Sequence, residues 1–229
     1  MKNIWYALLL GMIVFACETK PSGNMIITGQ VDGLKKGTLY LEKVQDSILV
    51  VVDSIYVEGS SNFSLGTDVE DAEIYFINLD KNPNYRLRFF GEPGNIVVNT
   101  NLDRFDLDAE VQGSKNQEVL DTYNKMAKRF NDSRLDLIQA NFEATQAKDQ
   151  KAIDSLNDRF ESLLKRRYFY ATNYAIQNAD YEVAPYIAVT ELYNATNKLL
   201  DTINNSLSPE VKTSKYGKGL QDLIDSRNE

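Results

Sequence analysis

Histidine is absent from the 229 residues of this chain. That excludes Ser-His-Asp and Cys-His catalysis and any zinc site built on imidazole. Cysteine occurs once, so there is no internal disulfide and no CxxC redox pair. Proline occurs 5 times and glycine 12 times, too rarely for a fibrous or low-complexity chain. Basic residues are outnumbered, 25 against 33 acidic, and the formal charge is -8. No long basic run offers phosphate neutralisation, so nucleic acid is not an expected partner. The chain also lacks the apolar run of roughly 20 residues that a spanning helix needs. What remains is 43% hydrophobic, 25% charged and 10% aromatic, a globular composition with room for one large domain or two modest ones.

The N-terminus reads as an address. Lys2 precedes an apolar run from Ile4 to Phe15, and Ala16-Cys17 comes next. A basic flank, a short apolar core and a small residue before the break predict a signal peptide over residues 1–16. Val14-Phe15-Ala16-Cys17 resembles a bacterial lipobox, with Phe15 larger than that pattern usually carries. The resemblance implies acylation of Cys17, and several acyl chains give a durable anchor where one gives a marginal one. The small polar stretch after it completes a tether over residues 17–23. The membrane is thus an expected partner through the lipid. The expected place is the cell envelope, by default the outer membrane because Glu18 stands next to the cysteine. Periplasmic and surface-facing orientations stay open.

Two periods divide the remainder. Residues 24–112 carry short alternating or β-branched runs: Met25–Thr28, Thr38–Glu42, Ile48–Val57, Asn62–Leu65, Glu73–Leu79, Tyr85–Phe90, Asn95–Thr100 and a last one near Val111. Turn formers separate them, so seven or eight strands in an antiparallel sandwich or barrel are expected, the sandwich being the leading reading. From Gly113-Ser114 the period becomes helical. Ser114 suits an N-cap with Gln117 as its capping-box partner. Leu120, Tyr123, Ala127, Phe130, Leu137, Ile138 and Phe142 form one stripe; Ile153, Leu156, Phe160, Leu163, Leu164, Ala171 and Tyr174 form another. A turn near residues 147–150 folds these into a long antiparallel hairpin. A third helix is expected with Pro185 near its first turn, running through Ile187, Leu192 and Tyr193, and a fourth over Lys198–Leu207; Ser208-Pro209-Glu210 opens the last segment, and Gly217-Lys-Gly219 precedes a short terminal helix. The fold class is α+β, a sandwich over residues 24–112 and a helical region over 113–229.

Chemical motifs are sparse. Gly29, Gly33 and Gly37 lack a phosphate-loop context and fit hairpin turns with positive φ. Asp53 interrupts an apolar strand and Glu92 precedes Pro93-Gly94; a bulge and a turn contact explain them better than catalysis. Asp103, Asp106 and Asp108 lack the glycine and distal Glu of a calcium loop. Arg86 and Arg88 share a strand face and suit pairing with acids on a neighbouring strand. Arg166, Arg167, Tyr168 and Tyr170 mix base and aromatic on one helix and are the candidates for a partner-docking face. No catalytic, cofactor or metal residues are assigned.

The order of these pieces resembles the N-terminal region of envelope thiol–disulfide interchange lipoproteins of the thioredoxin/peroxiredoxin class, the module known as domain of unknown function (DUF) 4369. Gly29, Gly33 and Gly37 with Leu39-Tyr-Leu41, Asp53-Ser54, Asn62-Phe63, Phe89-Phe90, Glu92, Gly94-Asn95-Ile96, Gly113-Ser114 and Asn116 carry it. Ser208-Pro209-Glu210 and Ser214-Lys-Tyr-Gly217 resemble the helical segment C-terminal to that module. In the larger relatives a thioredoxin-like domain with its CxxC comes next. This sequence holds no CxxC, so their redox chemistry does not carry over. The expectation is a lipid-anchored, non-catalytic binding or assembly module, with a protein partner or self-association. Two alternatives stand beside it: a truncated remnant of a thiol–disulfide oxidoreductase, and an envelope binder of a small ligand or oligosaccharide. The last requires a pocket lined by Tyr75, Tyr85, Phe89 or Phe90 and a carboxylate of raised proton affinity. If those aromatics form a closed core, it fails.

Overall fold

The structure is a computed structural model that describes residues 21–227; the expected signal peptide, Cys17 and the start of the tether lie outside the described residues. Two four-stranded sheets make the N-terminal half. The first holds β4 (Asn62–Thr67), β1 (Met25–Asp32), β7 (Gly94–Asn101) and β8 (Glu110–Gln112) in that order. The second holds β3 (Ile48–Glu58), β2 (Lys36–Gln45), β5 (Glu73–Leu79) and β6 (Arg86–Gly91). Alternation aims Met25, Ile27, Leu39, Leu41, Tyr75, Ile77, Leu87, Phe89, Ile96 and Val98 between the sheets, where they form one buried core.

The expected α+β sandwich is present, with one departure from antiparallel pairing. β1 and β7 run parallel, Met25 beside Gly94 and Asp32 beside Asn101. A parallel pair needs a long connection. Here the chain builds β4 and the whole second sheet between the two strands. Gly29 corrects a second expectation. Gly33 does turn with φ +83°, but Gly29 sits in mid-strand β1, and a Cβ there would lie 1.8 Å from the Val98 carbonyl oxygen. Close approach of backbones, not a turn, demands that glycine.

Helix α1 (Lys115–Ala147) begins at Ser114, whose Oγ accepts from the Gln117 amide at 3.1 Å. The other half of the expected capping box is missing. The Gln117 side chain instead accepts from Phe90 N at 2.7 Å and donates to Asp121. Lys148, in the left-handed conformation at φ 54°, ends α1, and Asp149 caps α2 (Gln150–Gln177). Then come α3 (Val183–Glu191), α4 (Asn197–Ser206), α5 (Pro209–Thr213) and α6 (Lys215–Asp225). Gly217 and Gly219 lie inside α6 rather than before it, because Ser214 caps that helix. A Cβ on Gly217 would meet the Val211 carbonyl oxygen at 2.0 Å. Among the described residues no helix is long and apolar enough to cross a membrane.

The two halves share a core. Ile74 and Phe90, on the outer face of β5 and β6, pack with Val119, Leu120, Tyr123, Val183, Ile187, Leu200 and Leu220. Phe90 meets Tyr186 and Tyr216 edge-on, with centroids 5.5 and 5.8 Å away. The helical region therefore rests on the second sheet, and the base of the α1–α2 hairpin is fixed there.

Candidate docking face on the helix hairpin

The hairpin outruns its support. α1 has 33 residues, about 50 Å of helix. Only its first half joins the shared core, to Ala127 and, through ring contact, Phe130. Beyond that, Leu137, Ala144, Leu156 and Leu163 form a separate small cluster between α1 and α2, edged by Phe130, Ala140, Ala152, Ile153 and Phe160.

One side of this distal half is uncovered. Leu135, Ile138 and Phe142 keep the three- and four-residue spacing of one helix face. They are 62%, 44% and 62% exposed. Ile138 stands about five turns beyond Leu120, on the same line of α1. Leu120 is buried in the shared core and Ile138 is not. On α2 the fully buried Ala171 and Ala175 give way, along nearly the same line, to Leu164 at 47% exposed. The face that packs at the base is therefore continued outward without a cover. No charged residue stands on its two lines, Asn131-Leu135-Ile138-Phe142 and Ile153-Asn157-Phe160-Leu164. Charges collect on the other side of α1, at Arg129, Asp132, Asp136 and Glu143. A groove of about 280 Å³ opens beside this face, lined by Phe130, Phe160, Leu163 and Leu164 and bordered by the charged Arg134, Glu161 and Arg167.

The four sequence candidates do not make one surface. Arg166 is exposed beside a separate groove of about 220 Å³ with Ser133, Asp136, Arg159 and Ser162. Arg167 pairs with Glu191 and hydrogen-bonds Asn131, and it lines the apolar groove. Tyr168 packs against the shared core. Tyr170 is the middle of an aromatic cluster, 5.7 Å from Tyr123, 5.8 Å from Phe130 and 5.8 Å from Tyr174. Arg167 and Tyr170 thus hold the hairpin base, and Arg166 faces away. Sequence reasoning missed Leu135 and placed Ile138, Phe142 and Leu164 in the apolar stripes without separating their covered from their open part. Their helical spacing was visible, but the length over which other helices cover the stripe was not.

The acidic candidates are engaged in the fold. Asp53 accepts from Gly66 N at 2.8 Å and Ser54 N at 2.7 Å, beside a bulge between β2 and β3. Glu92 accepts from Lys115 N at 2.6 Å and Asn116 N at 3.2 Å, and so caps α1, where the helix dipole favours a carboxylate. Asn116 extends that link, donating to Glu92 and Glu182 and accepting from Val183 N. Asp108 pairs with Arg104 in its own turn, and Arg86 lies 3.4 Å from Glu42. Burial raises the proton affinity of Asp121, opposed by its hydrogen bond from Gln117 and by Lys125. No metal-capable cluster of His, Cys, Asp or Glu occurs among the described residues. Tyr75 and Phe89 are fully buried in the sandwich core, Phe90 is buried in the shared core, and Tyr85 packs edge-on against Phe105. These four rings are split between two closed cores and line no common pocket.

No curated protein and no solved structure matches this chain. A family model, Domain of unknown function (DUF4369), matches residues 25–120, from the first residue of β1 into the second turn of α1. The match includes the Glu92 cap, Gln117 and Leu120, so it contains the joint between sandwich and hairpin as well as the sandwich. The N-terminal part of this chain is a DUF4369-type module.

Proposed function

We propose that this chain is a lipid-anchored envelope protein that works as a non-catalytic docking module, with the open face of its hairpin receiving a protein partner. The observation that carries the proposal is the apolar face of Leu135, Ile138, Phe142 and Leu164, exposed on an arm held at its base and bordered by Arg134, Glu161 and Arg167. An arm extending beyond the main core gains nothing from exposed leucine and phenylalanine in its own fold. A partner helix laid in the groove would bury them, with anchors at helical spacing. The lipobox-like Val14–Cys17 supports an envelope address. The resemblance to the front part of thiol–disulfide interchange lipoproteins supports a thioredoxin-fold protein as the partner. The structural engagement of Asp53 and Glu92 supports a binding role over carboxylate catalysis.

A pull-down from membranes tests this, using the tagged full-length chain, a Cys17→Ala control and an Ile138→Lys/Phe142→Lys variant. The expected outcome is recovery of a thioredoxin-family lipoprotein with the parent chain and at least ten-fold less with the charged variant. Equal recovery by parent and variant would refute the hairpin as the docking face. Turnover of an envelope substrate, abolished by one carboxylate change, would refute the non-catalytic reading.

A further inference from the structure

A polar row crosses the outer face of the second sheet. Ser54 of β3 stands opposite Tyr40 of β2, Tyr40 opposite Asn78 of β5, and Asn78 opposite Arg86 of β6. The four share one face across the full width of the sheet, about 14 Å. It is the outer face, because Ile77 and Leu79 on either side of Asn78 point into the sandwich core. The helical region takes Ile74, Phe76 and Phe90 from this face into the shared core, and the row lies past Phe76. Asn78 is fully buried there, yet neither its amide nitrogen nor its amide oxygen has a hydrogen-bond partner. Glu42, buried in the next row, lies 3.4 Å from Arg86 Nε, but Glu42 Oε2 and Arg86 Nε make no well-formed hydrogen bond. Such groups cost stability in the fold alone. Other polar groups of the same sheet are engaged: Asp80 accepts from Thr38 N, and Glu73 holds two lysines. Tyr56, two residues beyond Ser54 on the same face of β3, is 59% exposed.

We propose that this row is a binding site for an oligosaccharide. The open hydrogen-bonding capacity is mixed, and that selects the ligand class. Asn78 Nδ2 and Arg86 Nε call for acceptors, whereas Asn78 Oδ1 and Glu42 Oε2 call for donors. A fully ionised anion only accepts, and it would set its charge against Glu42. A metal ion would meet Arg86 and the Lys81 ammonium, which lies 5.0 Å over the Tyr40 ring. A sugar hydroxyl donates and accepts at once. Two neighbouring hydroxyls match the paired donor and acceptor of the Asn78 amide, and the C–H face of a sugar ring suits the exposed ring of Tyr56. Tyr40 and Arg86 flank Asn78 and are both partly exposed, so a turn of the long Arg86 side chain opens the amide to the ligand. The site does not use Tyr75, Tyr85, Phe89 or Phe90, which pack within the molecule. It is also independent of the helical docking face.

The test is titration calorimetry on the full chain in a detergent without sugar headgroups. The probes are cellohexaose, maltohexaose, N-acetylchitohexaose and, separately, inorganic phosphate. At least one of the three sugars is expected to bind with a Kd at or below about 1 mM. Asn78→Leu is expected to weaken that binding at least about ten-fold while its urea midpoint stays equal or rises, since it removes a buried amide that the fold leaves unpaired. A group held for structure alone would lower the midpoint and leave the sugar affinity unmoved. Tyr56→Ala, at an exposed position, is expected to weaken binding by a similar factor with no change of midpoint. The Ile138→Lys/Phe142→Lys variant is expected to bind the sugar as the parent does, which separates this site from the hairpin face. Binding of none of the three sugars, or of phosphate in their place, would overturn the proposal. Parent-like sugar binding by both Asn78→Leu and Tyr56→Ala would overturn the location.

Discussion

Tyr75 and Tyr123 show how single buried groups set the molecule's response to pH. Burial pushes the Tyr75 hydroxyl well above the usual tyrosine range, and the nearby Glu73 carboxylate reinforces it. Tyr123 is shifted the same way by burial and by Glu191, and Tyr216 by burial, against the hydrogen bond from Ile74 N. Neither the Tyr75 nor the Tyr123 hydroxyl makes a well-formed hydrogen bond. A tyrosine that stays protonated longer in the folded state contributes stability below the unfolded pKa of about 10 and loses it as pH rises past that value. Urea denaturation at pH 9, 10 and 11 is expected to show stability falling across this window. Tyr75→Phe and Tyr123→Phe are each expected to make the fall shallower while changing stability at pH 7 by less than about 1 kcal/mol. An unchanged slope in both variants would contradict the assignment.

At the scale of elements, the hairpin separates what a period can tell from what packing decides. The 3.6-residue spacing placed both long helices, and the expected turn near residues 147–150 is where Lys148 ends one and Asp149 caps the next. It could not say that Leu137 is buried and Ile138 open, since both belong to a broad apolar stripe. α2 covers Leu137, whereas the side that Ile138 faces is covered only as far as α3 to α6 reach. Local chemistry also misled at two points: Gln117 is taken by the Phe90 amide, and Ser214 starts α6 ahead of its glycines. The contrast between adjacent residues is measurable. Leu137→Ala is expected to cost about 2–4 kcal/mol by chemical denaturation. Ile138→Ala is expected to stay within about 0.5 kcal/mol. Similar costs at both positions would mean that Ile138 is covered within the folded chain.

For the molecule as a whole, the joint decides how a docking event at the arm could be borne by the rest. Glu92 and Asn116 tie the start of α1 to α3, and Gln117 ties it to β6. Lys215 at the start of α6 pairs with Glu73 of β5, which also holds Lys43 at 3.0 Å. The sandwich and the order of helices were legible from strand spacing and turn formers. The joint was not, because its contacts span from 24 to 142 positions in sequence and obey no local period. The parallel β1–β7 pair was hidden for the same reason. A hairpin anchored in this way presents one apolar side and one charged side, and only the apolar side is read as the docking surface. The most direct measurement is photo-cross-linking in cells that express the full chain, with a photoreactive residue at Ile138 or, on the charged side, at Asp136. The account expects an adduct with a thioredoxin-fold envelope protein from position 138 and none from 136. No protein adduct from 138, or equal adducts from both positions, would contradict it.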